Sequence, residues 1–164
     1  MSAAPPSEAR IRRDITQSPT IHATAVLVGA RAVLIRGPAG SGKSSLAFAL
    51  IRAGESGALP FARLIGDDRV HVEAAHGRLL VRPAPTIAGL IEIRGLGIRR
   101  LPHEPVAIVG LVVDLAAADA GRLPARESTL TEIAGIALPR LAVAPPDDPF
   151  PIVIAALRTE DSGH

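Results

Sequence analysis

The run Gly37-Pro38-Ala39-Gly40-Ser41-Gly42-Lys43-Ser44 restricts the fold of this chain of 164 residues more than any other feature. Its glycines fall between two segments of different period. Upstream, Ala32 to Arg36 is a short apolar run that reads as a strand. Downstream, from Ser45 to Ala53, Leu46, Ala49, Leu50 and Ala53 recur at helical spacing, with Gly54 and Gly57 placed to end the helix. A strand that enters a glycine loop and leaves as a helix aims backbone N–H groups and the positive end of a helix dipole at one point. That point suits an anion. The spacing is G-x-x-x-x-G-K-[ST], which places Lys43 to reach the β and γ phosphates of a nucleotide and Ser44 to offer a hydroxyl to Mg²⁺. The expected cradle is Gly37, Pro38, Ala39, Gly40, Ser41, Gly42, Lys43, Ser44 and Ser45. A glycine-rich turn with a surface lysine is the plain alternative, and the strand–loop–helix context stands against it.

Composition agrees with one globular unit around that loop. Hydrophobic residues are 48% and charged residues 21%, and no apolar run approaches the roughly 20 residues of a membrane-spanning helix. With no cysteine, disulfide frameworks, thiolate metal sites and cysteine nucleophiles are excluded. Net charge is only +2 and the arginines are scattered, which is no nucleic-acid footprint. Tyr and Trp are absent and Phe stands only at 48, 61 and 150, so aromatic stacking on single strands is not expected either. Of the 18 Lys and Arg residues Lys43 is the one lysine, a compact ammonium where arginine is the general choice. The start, Met1 to Glu8, has no apolar signal core, so a cytoplasmic setting is expected. Residues 1–19 read as a flexible arm, 20–158 as the single domain and 159–164 as a tail.

Further strands are expected at Ile21 to Val28, turning at Gly29-Ala30-Arg31 into Ala32 to Arg36, and at Ala62 to Gly66. Val70, Val72 and Leu79 to Val81 suggest an antiparallel pair around His76-Gly77, and Val106 to Leu115 a buried central strand. Residues 129–141 mix strand and loop signals, 144–151 read as a proline-acid loop, and Ile152 to Leu157 begin a terminal helix.

Asp67-Asp68 closes the strand ending at Gly66, where a carboxylate meets Mg²⁺ in nucleotide-binding loops, and two adjacent carboxylates can divide metal holding from proton transfer. An acidic turn is the plain alternative. Glu92 and Arg94 flank Ile93, and Gly95 and Gly97 let the backbone pass close to a ligand. That pair completes a metal-phosphate site or makes a surface ion pair. His22 lies on the strand before the loop, a place where histidine is ordinarily structural. The other histidines, 71, 76, 103 and 164, form no metal-like cluster.

In order, His22, the loop, Leu64-Ile65-Gly66-Asp67-Asp68-Arg69-Val70 and Ile91-Glu92-Ile93-Arg94-Gly95-Leu96-Gly97-Ile98 resemble the catalytic domain of HPr kinase/phosphorylase, in the short form without the family's N-terminal domain. The likeness is convincing over residues 20–115. It implies an α/β fold, a P-loop-containing mixed sheet with flanking helices related to phosphoenolpyruvate carboxykinase, rather than a parallel doubly wound sheet. It implies ATP-dependent phosphorylation of a serine on HPr or an HPr-like phosphocarrier of the phosphotransferase system, with the reverse removal of phosphate in many members. ATP and Mg²⁺ are the implied cofactors and a hexamer the implied assembly, with no nucleic acid or membrane partner. By resemblance Lys43 holds phosphate, and Ser44 and Glu92, with Asp67, hold Mg²⁺. Asp68 accepts the serine proton, His22 supports it, and Arg122 in Gly121-Arg122-Leu123-Pro124 matches a family arginine. The family's Pro-Gly-Arg-Asn segment, tied to dephosphorylation, has no counterpart after Leu138-Pro139-Arg140-Leu141, so the kinase is the firmer implication. A small-molecule kinase or NTPase and a regulatory nucleotide-binding module remain alternatives.

Overall fold

Residues 19–160 and Ser162 are described by the computed structural model. The expected arm at 1–19 lies, Pro19 apart, outside the described residues, as do residues 161, 163 and 164 of the expected tail. The first expected strand is two: β1 (Thr20–Ile21) and β2 (Ala23–Val28), parted by a bend at His22. The break has a cause, because β1 pairs with β5 (Val70–Ala75) whereas β2 pairs with β3 (Arg31–Arg36) and β4 (Ala62–Gly66). Next, α1 (Lys43–Glu55) follows the glycine loop as expected.

The remaining strands are β6 (Arg78–Pro83), β7 (Leu90–Ile93), β8 (Gly97–Arg100), β9 (Ala107–Leu115), β10 (Leu130–Ile133) and β11 (Ile136–Val143). They build a nine-stranded sheet in the order β1-β5-β6-β9-β3-β2-β4, with β11 on β9 and β10 on β11, while β7 and β8 form a separate hairpin. Only β3 and β11 run parallel to their partner β9, so the sheet is mixed, as the resemblance implied. The strand β9 is central, as its valines suggested. Residues 129–141 resolve into the hairpin β10–β11, whose turn places Ala134 at φ 51° and Gly135 at φ 78°. Two positive φ values in succession match a hairpin turn whose twist follows the strands.

Alternation along the strands sorts side chains to two faces. On one, Val33 and Ile35 of β3 join Leu46, Ala47, Leu50 and Ile51 of α1 and Val153 of the last helix, α2 (Pro149–Arg158). On the other, Ala32 and Leu34 join Val70, Val72, Leu79 and Val81. The proline-acid stretch is shorter than expected, since Pro149 and Pro151 sit in the first turn of α2, where a missing N–H costs nothing, and Asp148 caps it by accepting from the Phe150 N–H.

Gly54 does not end α1 but lies within it, and close packing is the reason: a Cβ there would stand 2.6 Å from the Ala62 backbone nitrogen and 2.7 Å from its Cβ. We expect Gly54→Ala to destabilise the fold by about 1–3 kcal/mol, because overpacking against backbone outweighs the gain in helix propensity of up to about 1 kcal/mol. Thermal unfolding reads this, and a melting temperature at or above wild type would contradict it.

Candidate active site

Gly42 precedes α1 with φ 100° and no side chain caps the helix, so the first-turn amides stay open toward the loop. Lys43 is buried, 7% exposed, and its Nζ donates to the carbonyls of Gly37 at 2.9 Å and Pro38 at 3.0 Å. The lysine therefore stands under the arch of the loop. Ser41 Oγ is buried and has no hydrogen-bond partner. A buried orphan hydroxyl beside uncapped amides and an ammonium is the donor set of an anion site, and phosphate fits it.

The end of β4 brings the carboxylates to the same place. Ala25 of β2 pairs with Gly66 of β4, which sets Thr24 beside Asp67 and Asp68. Asp67 is 5% exposed and held on both oxygens: Oδ1 accepts from Ser44 Oγ at 2.7 Å and from Thr24 Oγ1 at 2.7 Å, and Oδ2 from the Glu92 N–H at 3.0 Å. Asp68 differs in every respect. Its backbone is left-handed, at φ 68°, its side chain is 67% exposed, and Oδ1 lies 2.8 Å from His22 Nε2. The bend that divides β1 from β2 is what turns His22 toward it.

Glu92 on β7 and the turn Arg94 to Gly97 form the facing wall, with Gly95 at φ 82° and Gly97 at φ 93°. No ion pair joins Glu92 to Arg94 among the described residues, so the surface-pair alternative is not what the structure has. The cleft measures about 590 Å³, and His22, Lys43, Ser44, Asp67, Asp68 and Glu92 all line it. Its oxygens, one hydroxyl and carboxylates, are hard ligands of the kind Mg²⁺ takes together with phosphates and water. Among the described residues no three carboxylate or histidine side chains converge into a preformed metal cage, so the protein's share of such a site would be small.

The spacing of these groups along the chain can be compared with known families. Residues 13–103 match the family model of the HPr Serine kinase C-terminal domain. The chain belongs to this family.

Within HPr kinases, the HPr kinase/phosphorylase of Limosilactobacillus reuteri (strain DSM 20016) is 44% identical over 80 residues, which are 48% of this chain and 23% of that protein. That of Geobacillus thermodenitrificans (strain NG80-2) is 34% identical over 137 residues, 75% of this chain and 41% of that protein. This chain thus spans less than half the length of the curated relatives it matches. The solved Hpr(Ser) kinase/phosphatase of Coxiella burnetii superposes with a TM-score of 0.67 at 25% identity, covering 85% of this chain and 88% of that one. It has the mixed α/β fold with flanking helices described above.

Every residue expected at the site lines the cleft except Gly37, Pro38, Ser41 and Arg122. The first three belong to the loop itself, under which Lys43 is tied. Arg122 is exposed in the connection between β9 and β10 and makes no hydrogen bond or ion pair among the described residues. The arginines that do converge near the loop are Arg36, the last residue before it, and Arg140, both on Asp114. Sequence reasoning passed over them, and over Thr24. The signal for Thr24 was a polar residue two positions after His22, on the same face of an otherwise apolar run.

Proposed function

We propose that this chain is an ATP-dependent serine kinase whose acceptor is HPr or an HPr-like phosphocarrier of the phosphotransferase system. One observation carries the reading: two adjacent carboxylates have opposite surroundings, Asp67 buried under three donors and Asp68 exposed at the cleft mouth against His22. That is a division of labour between holding and proton transfer. Loop amides and Lys43 would hold the β and γ phosphates. Ser44 and Glu92, with Asp67, would hold Mg²⁺, which neutralises phosphate charge when bound. Asp68 would accept the serine proton as the serine oxygen bonds to the γ phosphorus. The bond from that phosphorus to the bridging oxygen then breaks, its electron pair leaving with ADP. His22 would keep the Asp68 carboxylate turned toward the acceptor. The mechanism has no step for Arg122, which stands outside the cleft wall.

Removal of the phosphate from the serine is the second half of the proposal, tested by loss of phosphate from the carrier when inorganic phosphate is added. A homo-oligomer, hexameric by the resemblance, belongs to it as well and is read by sedimentation of the purified chain. No helix of the described residues is long and apolar enough to cross a membrane, and a cytoplasmic setting is proposed with the carrier.

ATP consumption measured with and without the phosphocarrier tests the reading. Consumption should rise with the carrier, and Asp68→Asn should remove that rise by about 10²–10⁴-fold, the usual contribution of a positioned general base, while nucleotide still binds. Turnover indifferent to the carrier would favour a small-molecule kinase or NTPase instead.

A further inference from the structure

Thr24 is a polar side chain on the apolar strand β2, 0% exposed, between Ala23 and Ala25, both also fully buried. Its hydroxyl has one proton, and that proton goes to Asp67 Oδ1 at 2.7 Å. Thr24 Oγ1 in turn accepts from the Asp68 N–H at the longer distance of 3.4 Å. One side chain from β2 thus touches both members of the carboxylate pair. Valine would fill the same space, so volume does not explain a threonine here; the hydroxyl has a task of its own.

The task follows from what else holds Asp67. Oδ1 has two hydroxyl donors, Thr24 from the sheet side and Ser44 from α1, while Oδ2 has only the Glu92 N–H. Ser44 is the hydroxyl proposed to give a lone pair to Mg²⁺ while its proton stays on Oδ1, so of the two donors Thr24 is the one that holds the carboxylate without itself ligating the cation. We propose that Thr24 is a positioning residue: it fixes the Asp67 carboxylate by a hydrogen bond that Mg²⁺ binding leaves intact, and so sets the affinity of the site for the cation. Groups that orient a ligating carboxylate in this way change metal affinity or activity by about 10–100-fold when removed. The role rests on the kinase reading for its metal, but not on phosphoryl transfer.

The test is a Mg²⁺ titration of the binding of a fluorescent ATP analogue to the full chain, run beside binding in EDTA. Thr24→Val should raise the half-saturating Mg²⁺ by about tenfold or more and leave binding in EDTA unchanged, while Thr24→Ser, which keeps the hydroxyl, stays near wild type. Should Thr24→Val fail to fold, Thr24→Ala against Thr24→Ser makes the same comparison. Equal Mg²⁺ titrations with and without the hydroxyl would overturn the proposal. If the wild type binds Mg²⁺-nucleotide but transfers no phosphoryl group to a carrier, the kinase reading fails; a Mg²⁺ shift confined to the hydroxyl-free variants would still establish the role of Thr24.

Discussion

Lys43→Ala is expected to lower phosphoryl transfer by at least about a thousandfold, the upper range for losing one preorganised donor to a developing charge. The expectation rests on where the ammonium sits. It is buried under the loop and donates to two loop carbonyls, of Gly37 and Pro38, so its loss removes the one cationic group in the arch and frees the carbonyls it gathers. Lys43→Arg should fail nearly as badly, although charge is kept, because a planar fork cannot replace a compact ammonium buried against the Gly37 and Pro38 carbonyls. Lys43→Met, which keeps the stem, separates charge from packing: its melting temperature should stay within a few degrees of wild type while transfer is lost. Rates of transfer from labelled ATP read all three, and near-normal activity in Lys43→Ala would remove the loop from the mechanism.

The second large effect concerns stability. Asp114, at the end of β9, takes Arg36 Nε and Nη2 at 2.7 Å each, one on each carboxylate oxygen, and Arg140 Nε shares the second oxygen. Arg140 continues to Asp119 and to the Ser128 carbonyl, so one network ties the three parallel strands β3, β9 and β11 to the connection that follows β9. Asp114→Asn leaves two guanidinium groups facing each other with no anion between them. Breaking a fully buried pair costs about 3–5 kcal/mol, and with the Arg36 side chain 29% exposed we expect about 2–4 kcal/mol, or a fall in melting temperature of roughly 5–15 °C. A fall of less than a few degrees would mean that solvent replaces the network.

Burial by itself would raise the Asp114 carboxyl, but hydrogen bonds and charge from Arg36 and Arg140 outweigh it and hold the group below its ordinary value. A carboxyl lowered in the folded state adds stability above its unfolded value, near pH 4, and that stability drains away as pH falls from there toward the folded value. The gap between wild type and Asp114→Asn should therefore be widest at neutral pH and narrow below about pH 4. A gap that does not change with pH would contradict this.

What could be read from the sequence was local. The glycine loop, the paired aspartates and the hairpin turn at His76-Gly77 each declare themselves within a few residues, because a positive φ or a fixed anion geometry restricts which residue types can stand there. What could not be read depends on strand pairing across the chain. Thr24 faces Asp67 only because β2 lies beside β4, and Arg36 meets Asp114 across 78 positions through β3 and β9. Gly54 looked like a helix end because glycine often is one, while its reason lies in the approach of Ala62 from another element. His22 is the intermediate case: its expected role came from resemblance, and its partner became visible only where the bend before β2 carries the imidazole to Asp68.

The central claim is that the cleft delivers a phosphoryl group to a protein serine. It is tested most directly by incubating the chain with γ-labelled ATP, Mg²⁺ and an HPr-like phosphocarrier, beside a carrier whose acceptor serine is replaced by alanine. The expected result is label on the first carrier and none on the second. Label on neither, with nucleotide still bound by the chain, would contradict the claim and leave a nucleotide-binding domain of the same fold with another task.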